Sequence, residues 1–157
     1  MKYKLTGETI TYEGKTLHRI EALKDIPFHG VKAGDKGGYI EKEDNLSQEG
    51  DAWVGDNAKV FDNTRVFDNA RVGDDAIVRG KARVFDNARV YGNAKVYDYA
   101  KVYGNTLVYG DARVGGNARV SGNTQVGGNA MVFDNTRVSG EVRVGDGTII
   151  SGDTMVS

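Results

Sequence analysis

Valine returns every sixth residue over most of this chain. Val54, Val60, Val66 and Val72 open a register that runs to Val144, Ile150 and Val156, eighteen units without an insertion. Two residues before the register position stands Ala or Thr in seventeen of the eighteen units, with Val142 the exception. Four residues before it only Gly or Asp occurs, and three before it Asn leads, as at Asn57, Asn63, Asn69 and Asn87. Positions two apart share one face of a strand, so the small residue and Val point inward together while the residues flanking Val point outward. Gly, Asp and Asn tolerate the left-handed backbone of a tight corner. Each unit therefore reads as one short strand and one corner. A helix is excluded, because a period of six is not a multiple of 3.6 and Gly or Asn would interrupt every turn.

Such a strand cannot bury an apolar face alone, but stacked turns can. A core column that alternates small with medium side chains suits a narrow triangular prism with three units per turn. Six coils of eighteen residues follow, and at roughly 4.8 Å per coil the prism is on the order of 29 Å long. The pattern resembles the hexapeptide-repeat left-handed parallel β-helix. The left hand is what that resemblance implies, against the usual right-handed crossover. The predicted fold is all-β: a left-handed parallel β-helix of about six coils with a small N-terminal β-hairpin cap.

The cap is expected over residues 1–45 and the β-helix over 46–157. Lys2–Leu5, Glu8–Tyr12 and Lys15–Leu23 alternate or cluster apolar residues, and Glu13-Gly14 between the last two predicts a hairpin. Pro27 ends it, and a Gly-rich loop runs from Gly30 to Tyr39. Leu46 falls in the small column and Gln48 in the Val column, so the coils are expected to begin near Asn45. The cap would cover the open edge of the first coil, since unpaired edges invite aggregation. The last coil is expected to be uncapped.

Three stretches of this segment carry a closer resemblance: His18-Arg-Ile-Glu-Ala-Leu-Lys-Asp, then Val31-Lys-Ala-Gly-Asp-Lys-Gly-Gly-Tyr-Ile-Glu41, then Asn45-Leu-Ser-Gln-Glu-Gly. They are similar to the opening of the YdcK-type hexapeptide-repeat proteins of enterobacteria, phages and prophages. The likeness covers essentially the whole chain. It implies the β-helix, and a phage-related role such as occupying a bacterial defence protein or sequestering its signal. Members often carry an acyltransferase label that rests on the fold, and fold alone does not establish function.

Composition narrows the classes. The formal net charge of −1 gives no global pull toward nucleic acid. With no cysteine there are no disulfides and no thiolate metal sites. The N-terminus lacks an apolar leader and no stretch approaches a membrane span, so a soluble cytoplasmic protein without membrane contact is expected. Asn45-Leu46-Ser47 matches the glycosylation pattern by chance.

The outward columns carry the candidate chemistry. One face presents Arg65, Arg83, Lys101, Arg119 and Arg137 in a column beside Phe67, Phe85 and Tyr103, followed by Ser121 and Ser139. Cations interleaved with aromatic platforms suit a planar anionic ligand, a nucleotide or single-stranded nucleic acid. A second face carries Phe61, Ile77, Tyr97, Met131, Phe133 and Ile149, the expected interface of a homo-oligomer, trimer or dimer. The third carries Trp53, Tyr91, Leu107 and Tyr109. All eight aromatics that follow a register Val are expected to point outward. The alternative is structural: like side chains stack, Arg stems cover the rings, and corner acids such as Asp62, Asp68, Asp86 and Asp98 neutralise the basic column.

Acyl transfer in this fold needs a general base near a cleft. The chain has two histidines, His18 and His29, both in the cap, and no loop interrupts the coils. Two histidines argue against a zinc site built from three His across an interface. The cap loop lacks the P-loop Gly-Lys-Ser/Thr, and the Asp-x-Asn corners do not have EF-hand spacing. Thr-x-Thr ice binding fails because the Thr residues lie inward. No catalytic residue, cofactor or metal is assigned. The expectation is a non-enzymatic binding or interaction protein that captures a host protein or a nucleotide-like ligand, with hexapeptide-type acyl transfer or pure self-assembly as alternatives.

Overall fold

The computed structural model describes residues 1–157. Its long strands all lie at the start: β1 (Tyr3–Tyr12) and β2 (Lys15–Ala22) form an antiparallel hairpin, and β3 (Lys36–Ile40) pairs antiparallel with β2. β3 also pairs in parallel with the first regular coil, Tyr39 against Lys59 and Ile40 against Val60. From there two-residue strands stack into three parallel sheets. Register Val60 to Ile150 belongs to the first sheet, which the hairpin extends, Val54 to Val144 to the second, and Val66 to Val156 to the third. The result is an all-β parallel solenoid of about seven turns, with a hairpin start and winding consistent with the left hand expected. It has one turn more than the repeat count because β3 and the segment at Leu46 complete a coil that the hexad pattern does not mark.

The inner columns do what their spacing requires. The register valines and the Ala/Thr column are almost uniformly buried and form one continuous cluster along the prism axis. Burying a Val side chain contributes about 1.5 kcal/mol or more, and each coil repeats that three times around the axis. Backbone bonds join each coil to the next at constant spacing, as from Lys95 N–H to Ala112 O at 2.9 Å and from Tyr97 N–H to Val114 O at 2.9 Å. Corner residues take up the left-handed backbone: seven Asp residues have φ between 52° and 63°, and Gly occupies most other corners.

The N-terminal end is plugged rather than merely covered. Tyr3, Ile20, Ala22 and Ile26 enter the axial core. The Tyr3 hydroxyl donates to Leu46 O at 2.6 Å, and the Gln48 side-chain carbonyl accepts the Lys2 backbone N–H at 2.8 Å. Leu46 is paired with Val66, so it sits in the Val column, two residues out of the phase expected for it. The two extra residues are taken up at the corner leading to Val54, where Gln48 leaves the column to bind the first strand. Asn45 secures this irregular coil. Its Oδ1 accepts the N–H groups of Glu41 and Lys42, and its Nδ2 donates to Asp62 O and Thr64 O. A side chain so buried and committed is no glycan acceptor.

Two aromatics expected outside are buried, Phe61 under the hairpin that overhangs the first sheet and Trp53, on the second sheet, against β3. Phe61 is 1% exposed beneath Leu17 and Tyr39, with Tyr12 edge-on at 5.7 Å. Trp53 is 2% exposed and belongs to the core. Gly37 and Gly38 make this docking possible. A Cβ on Gly38 would lie 2.7 Å from Ala58 O and one on Gly37 2.6 Å from Val54 O.

Candidate functional site

The third sheet brings the predicted binding residues together. Arg65, Arg83, Lys101, Arg119 and Arg137 are direct cross-strand neighbours in one column. On the other side of the register valines, Phe67, Phe85 and Tyr103 form a second column. Phe67 and Phe85 stack at 4.8 Å with planes 5° apart, and Phe85 and Tyr103 at 4.9 Å with planes 2° apart. The four arginines are exposed, while Lys101 and the three rings are half-buried.

The corner acids make no direct ion pair with this column. Asp68 accepts the Asp86 N–H at 3.2 Å, Asp86 the Gly104 N–H at 3.0 Å, and Asp98 the Gly116 N–H at 3.1 Å, each eighteen residues on. The same bond is made by Asp56, Asp62, Asp74 and Asp134. The left-handed Asp at a corner thus caps the following coil. The five ion pairs of the molecule, Lys4–Glu21, Lys15–Asp62, Arg19–Glu8, Lys36–Glu21 and Arg79–Glu13, all involve the cap.

The sequence holds a plainer signal of this segregation that column-by-column reading of one face misses. Across all eighteen units the two positions flanking the register residue contain no Asp or Glu and twelve Lys or Arg. The acids are confined to the corners. A net charge near neutrality therefore conceals three basic faces edged by acidic corners, and the third face is the most continuous. Adjacent unit charges about one strand spacing apart repel by about 1 kcal/mol in bulk water before salt screening. An anion laid along the column relieves that repulsion.

Ring stacking revises the platform. Within the column each ring turns its face to the next, so no base can insert between Phe67 and Phe85 or between Phe85 and Tyr103. Free faces exist at the ends. A cavity of about 320 Å³ lies at the Phe67 end, where Glu43 and Asp44 face Arg65 and Arg83. One of about 240 Å³ lies at the Tyr103 end, lined by Arg119, Ser121, Arg137 and Ser139, by Met155, Val156 and Ser157 of the last coil, and by no acidic side chain. A third, of about 330 Å³, follows the edge of the basic column at Lys81, Arg83, Lys101 and Arg119, with Tyr99 and Asn117 completing it.

The apolar face of the first sheet is smaller than the sequence suggests. Phe61 is covered by the hairpin and unavailable to a partner, and Ile77 packs against the same cluster. The Tyr97 ring lies where Gly115 leaves room, so a Cβ there would come within 2.3 Å of it. Met131 and Phe133 are half-buried and Ile149 is 62% exposed.

The histidines stay in the cap. The His29 Nε2–H donates to Asn69 O at 3.0 Å, and its buried Nδ1 has no partner. Burial, with Arg71 beside it, lowers its pKa to about 4. His18 sits on β2 opposite Ile40. No cluster of three or more His, Asp or Glu is placed to hold a metal ion, and no helix is long and apolar enough to cross a membrane.

Short strands, left-handed corners and eighteen-residue stacking define the chain as a hexapeptide-repeat β-solenoid with a hairpin plug. Its repeats are similar to the YdcK Beta solenoid repeat family, whose model matches residues 82–99, 112–128 and 124–140, a likeness that supports a YdcK-type repeat β-helix. No curated protein matches the chain.

Proposed function

We propose that this protein is a non-enzymatic binding module whose working surface is the third face, and that its partner is anionic. The observation that carries the proposal is the column of five cations from Arg65 to Arg137, none in an ion pair, beside a stack of three rings. Unpaired like charges in register do nothing for the fold. They fit an anion that spans several coils or ends on one of them.

In the phage-related, cytoplasmic setting that the YdcK likeness implies, the partner is a host protein with an acidic surface or a nucleotide-like signal of host defence. Acyl transfer has weaker support, because His29 spends Nε2 on a backbone carbonyl and is held neutral by burial. Self-association has a specific observation in its favour, the apolar remainder at Met131, Phe133 and Ile149 on a different face. It is compatible with ligand capture.

Native mass spectrometry of the protein taken from host lysate tests the proposal, with the Arg83→Glu/Phe85→Ser double variant alongside. A bound species on the wild type that the variant loses, with its fold intact, is the expected result. An empty wild type, or a species retained equally by both, overturns it.

A further inference from the structure

The ring column of the third face stops at Tyr103, and the manner of its ending is specific. At the next two coils the same outward position is Ser121 and then Ser139. Elsewhere, where an aromatic is followed one coil later by Gly, the ring itself fills the vacancy. A Cβ at Gly115 would lie 2.3 Å from the Tyr97 ring, and one at Gly127 would lie 2.4 Å from the Tyr109 ring. Tyr103 instead stays parallel to Phe85, 2° from coplanar orientation, and the space over Ser121 is left as the cavity of about 240 Å³.

The rings of this column follow one another at 4.8 and 4.9 Å, one coil step, so a flat ligand resting on Tyr103 continues the stack. Its edge would meet the Ser121 and Ser139 hydroxyls, which donate or accept as required. Across the register valines stand Arg119 and Arg137, both exposed and free of ion pairs. The opposite end of the ring column differs on this point. There Glu43 and Asp44 share the cavity with the arginines, and an anion is disfavoured.

We propose that the slot over Ser121 binds a planar aromatic ring carrying phosphate, that is, a nucleotide. The ring extends the Phe67–Phe85–Tyr103 stack, and the phosphate is held by Arg119 and Arg137. The cavity of about 240 Å³, below the roughly 300–1,000 Å³ usual for drug-sized ligands, takes the ring of a single nucleotide unit and leaves its phosphate outside, on the arginines. That unit is either free or the phosphorylated end of a single strand. The assignment rests on reading the third face as an anion-binding surface.

Isothermal titration of the full chain with AMP tests it, with ribose 5-phosphate and adenosine as the phosphate and the ring alone. AMP is expected to bind more tightly than either part. Ser121→Phe supplies the missing ring from the protein itself. It is expected to preserve or raise the melting temperature while weakening AMP at least roughly tenfold, the loss of one base–aromatic stack. Arg119→Ser/Arg137→Ser should weaken AMP similarly, and Arg89→Ser on the second sheet should not. A 5′-phosphorylated dA tetramer separates the sources: tighter binding than AMP assigns the slot to a strand end, and equal or weaker binding to the free nucleotide. Ser121→Phe binding AMP like the wild type, or ribose 5-phosphate binding as well as AMP, overturns the proposal. If AMP fails to bind but the tetramer binds and is lost in Arg83→Glu/Phe85→Ser, the slot falls and the broader reading of the face stands.

Discussion

Asp86 accepts the backbone N–H of Gly104 on its carboxylate at 3.0 Å, joining two corners that are eighteen residues apart in sequence and adjacent in space. Asp86 does this from left-handed backbone, φ 55°. Replacement with Gly keeps the conformation and loses the hydrogen bond, a cost of about 1.5–3 kcal/mol for a charged acceptor. Replacement with Ala adds left-handed strain of about 1–2 kcal/mol. Urea unfolding should rank the variants wild type, Asp86→Gly, Asp86→Ala. Equal stability of all three would remove the capping role.

Glycines in the cap and in the coils should respond differently to a methyl group. At Gly38 the added Cβ meets carbonyl oxygens of Ala58 and Gly55 and has nowhere to go. Gly38→Ala should cost about 2–3 kcal/mol, at the upper end for overpacking. At Gly115 the Cβ meets the far edge of the Tyr97 ring, a half-buried side chain that can swing outward. Gly115→Ala should cost less than about 1 kcal/mol. Thermal melts of the pair decide it.

The cap loop is expected to loosen in acid through His29. Its pKa is about 4 in the folded chain against an ordinary 6.5, because burial and then Arg71 disfavour the imidazolium. Between those values the unfolded chain takes up a proton that the folded chain does not. Stability should therefore be full above pH 6.5 and decline as pH falls toward 4. His29→Asn places a non-titrating amide at the same point and should flatten that window in a series of melts. An unchanged slope would assign the acid sensitivity to other groups.

Lys2 predicts the opposite limb. Its Nζ donates to Ala52 O at 2.6 Å from a nearly fully buried position, and burial lowers its pKa from 10.5 to about 8, with Asp51 working against the shift. From pH 8 to about 10.5 the unfolded chain keeps the proton that the folded chain releases, so this group makes stability rise with pH there. Lys2→Met should abolish that rise. A melting temperature that falls equally for both proteins over the interval would count against it.

Much of this was legible in the sequence, and the rest failed for identifiable reasons. The hexad set the columns, and with them the neighbours of Arg83 and Phe85, because stacking at eighteen residues leaves no freedom in register. Phe61 obeys the same column rule, yet it is buried by Tyr12 and Leu17, whose placement depends on how far the hairpin tip overhangs. No periodicity encodes that distance. Extending the hexad backward puts Leu46 in the small column, and the two extra residues before Val54 break that extension. The role of the corner acids was invisible for a different reason. A carboxylate beside a basic column suggests an ion pair, but a backbone N–H of the next coil lies closer and in fixed geometry.

Each coil touches only the coils before and after it, so the distance from the plug to Ser121 is set by a count. Duplicating the eighteen residues that separate Phe85 from Tyr103 would add one ring to the column. The same event would carry the slot outward by about 4.8 Å with its lining unchanged. The solenoid thus acts as a ruler, and variation in coil number between related chains would move a binding position along the axis without redesigning it.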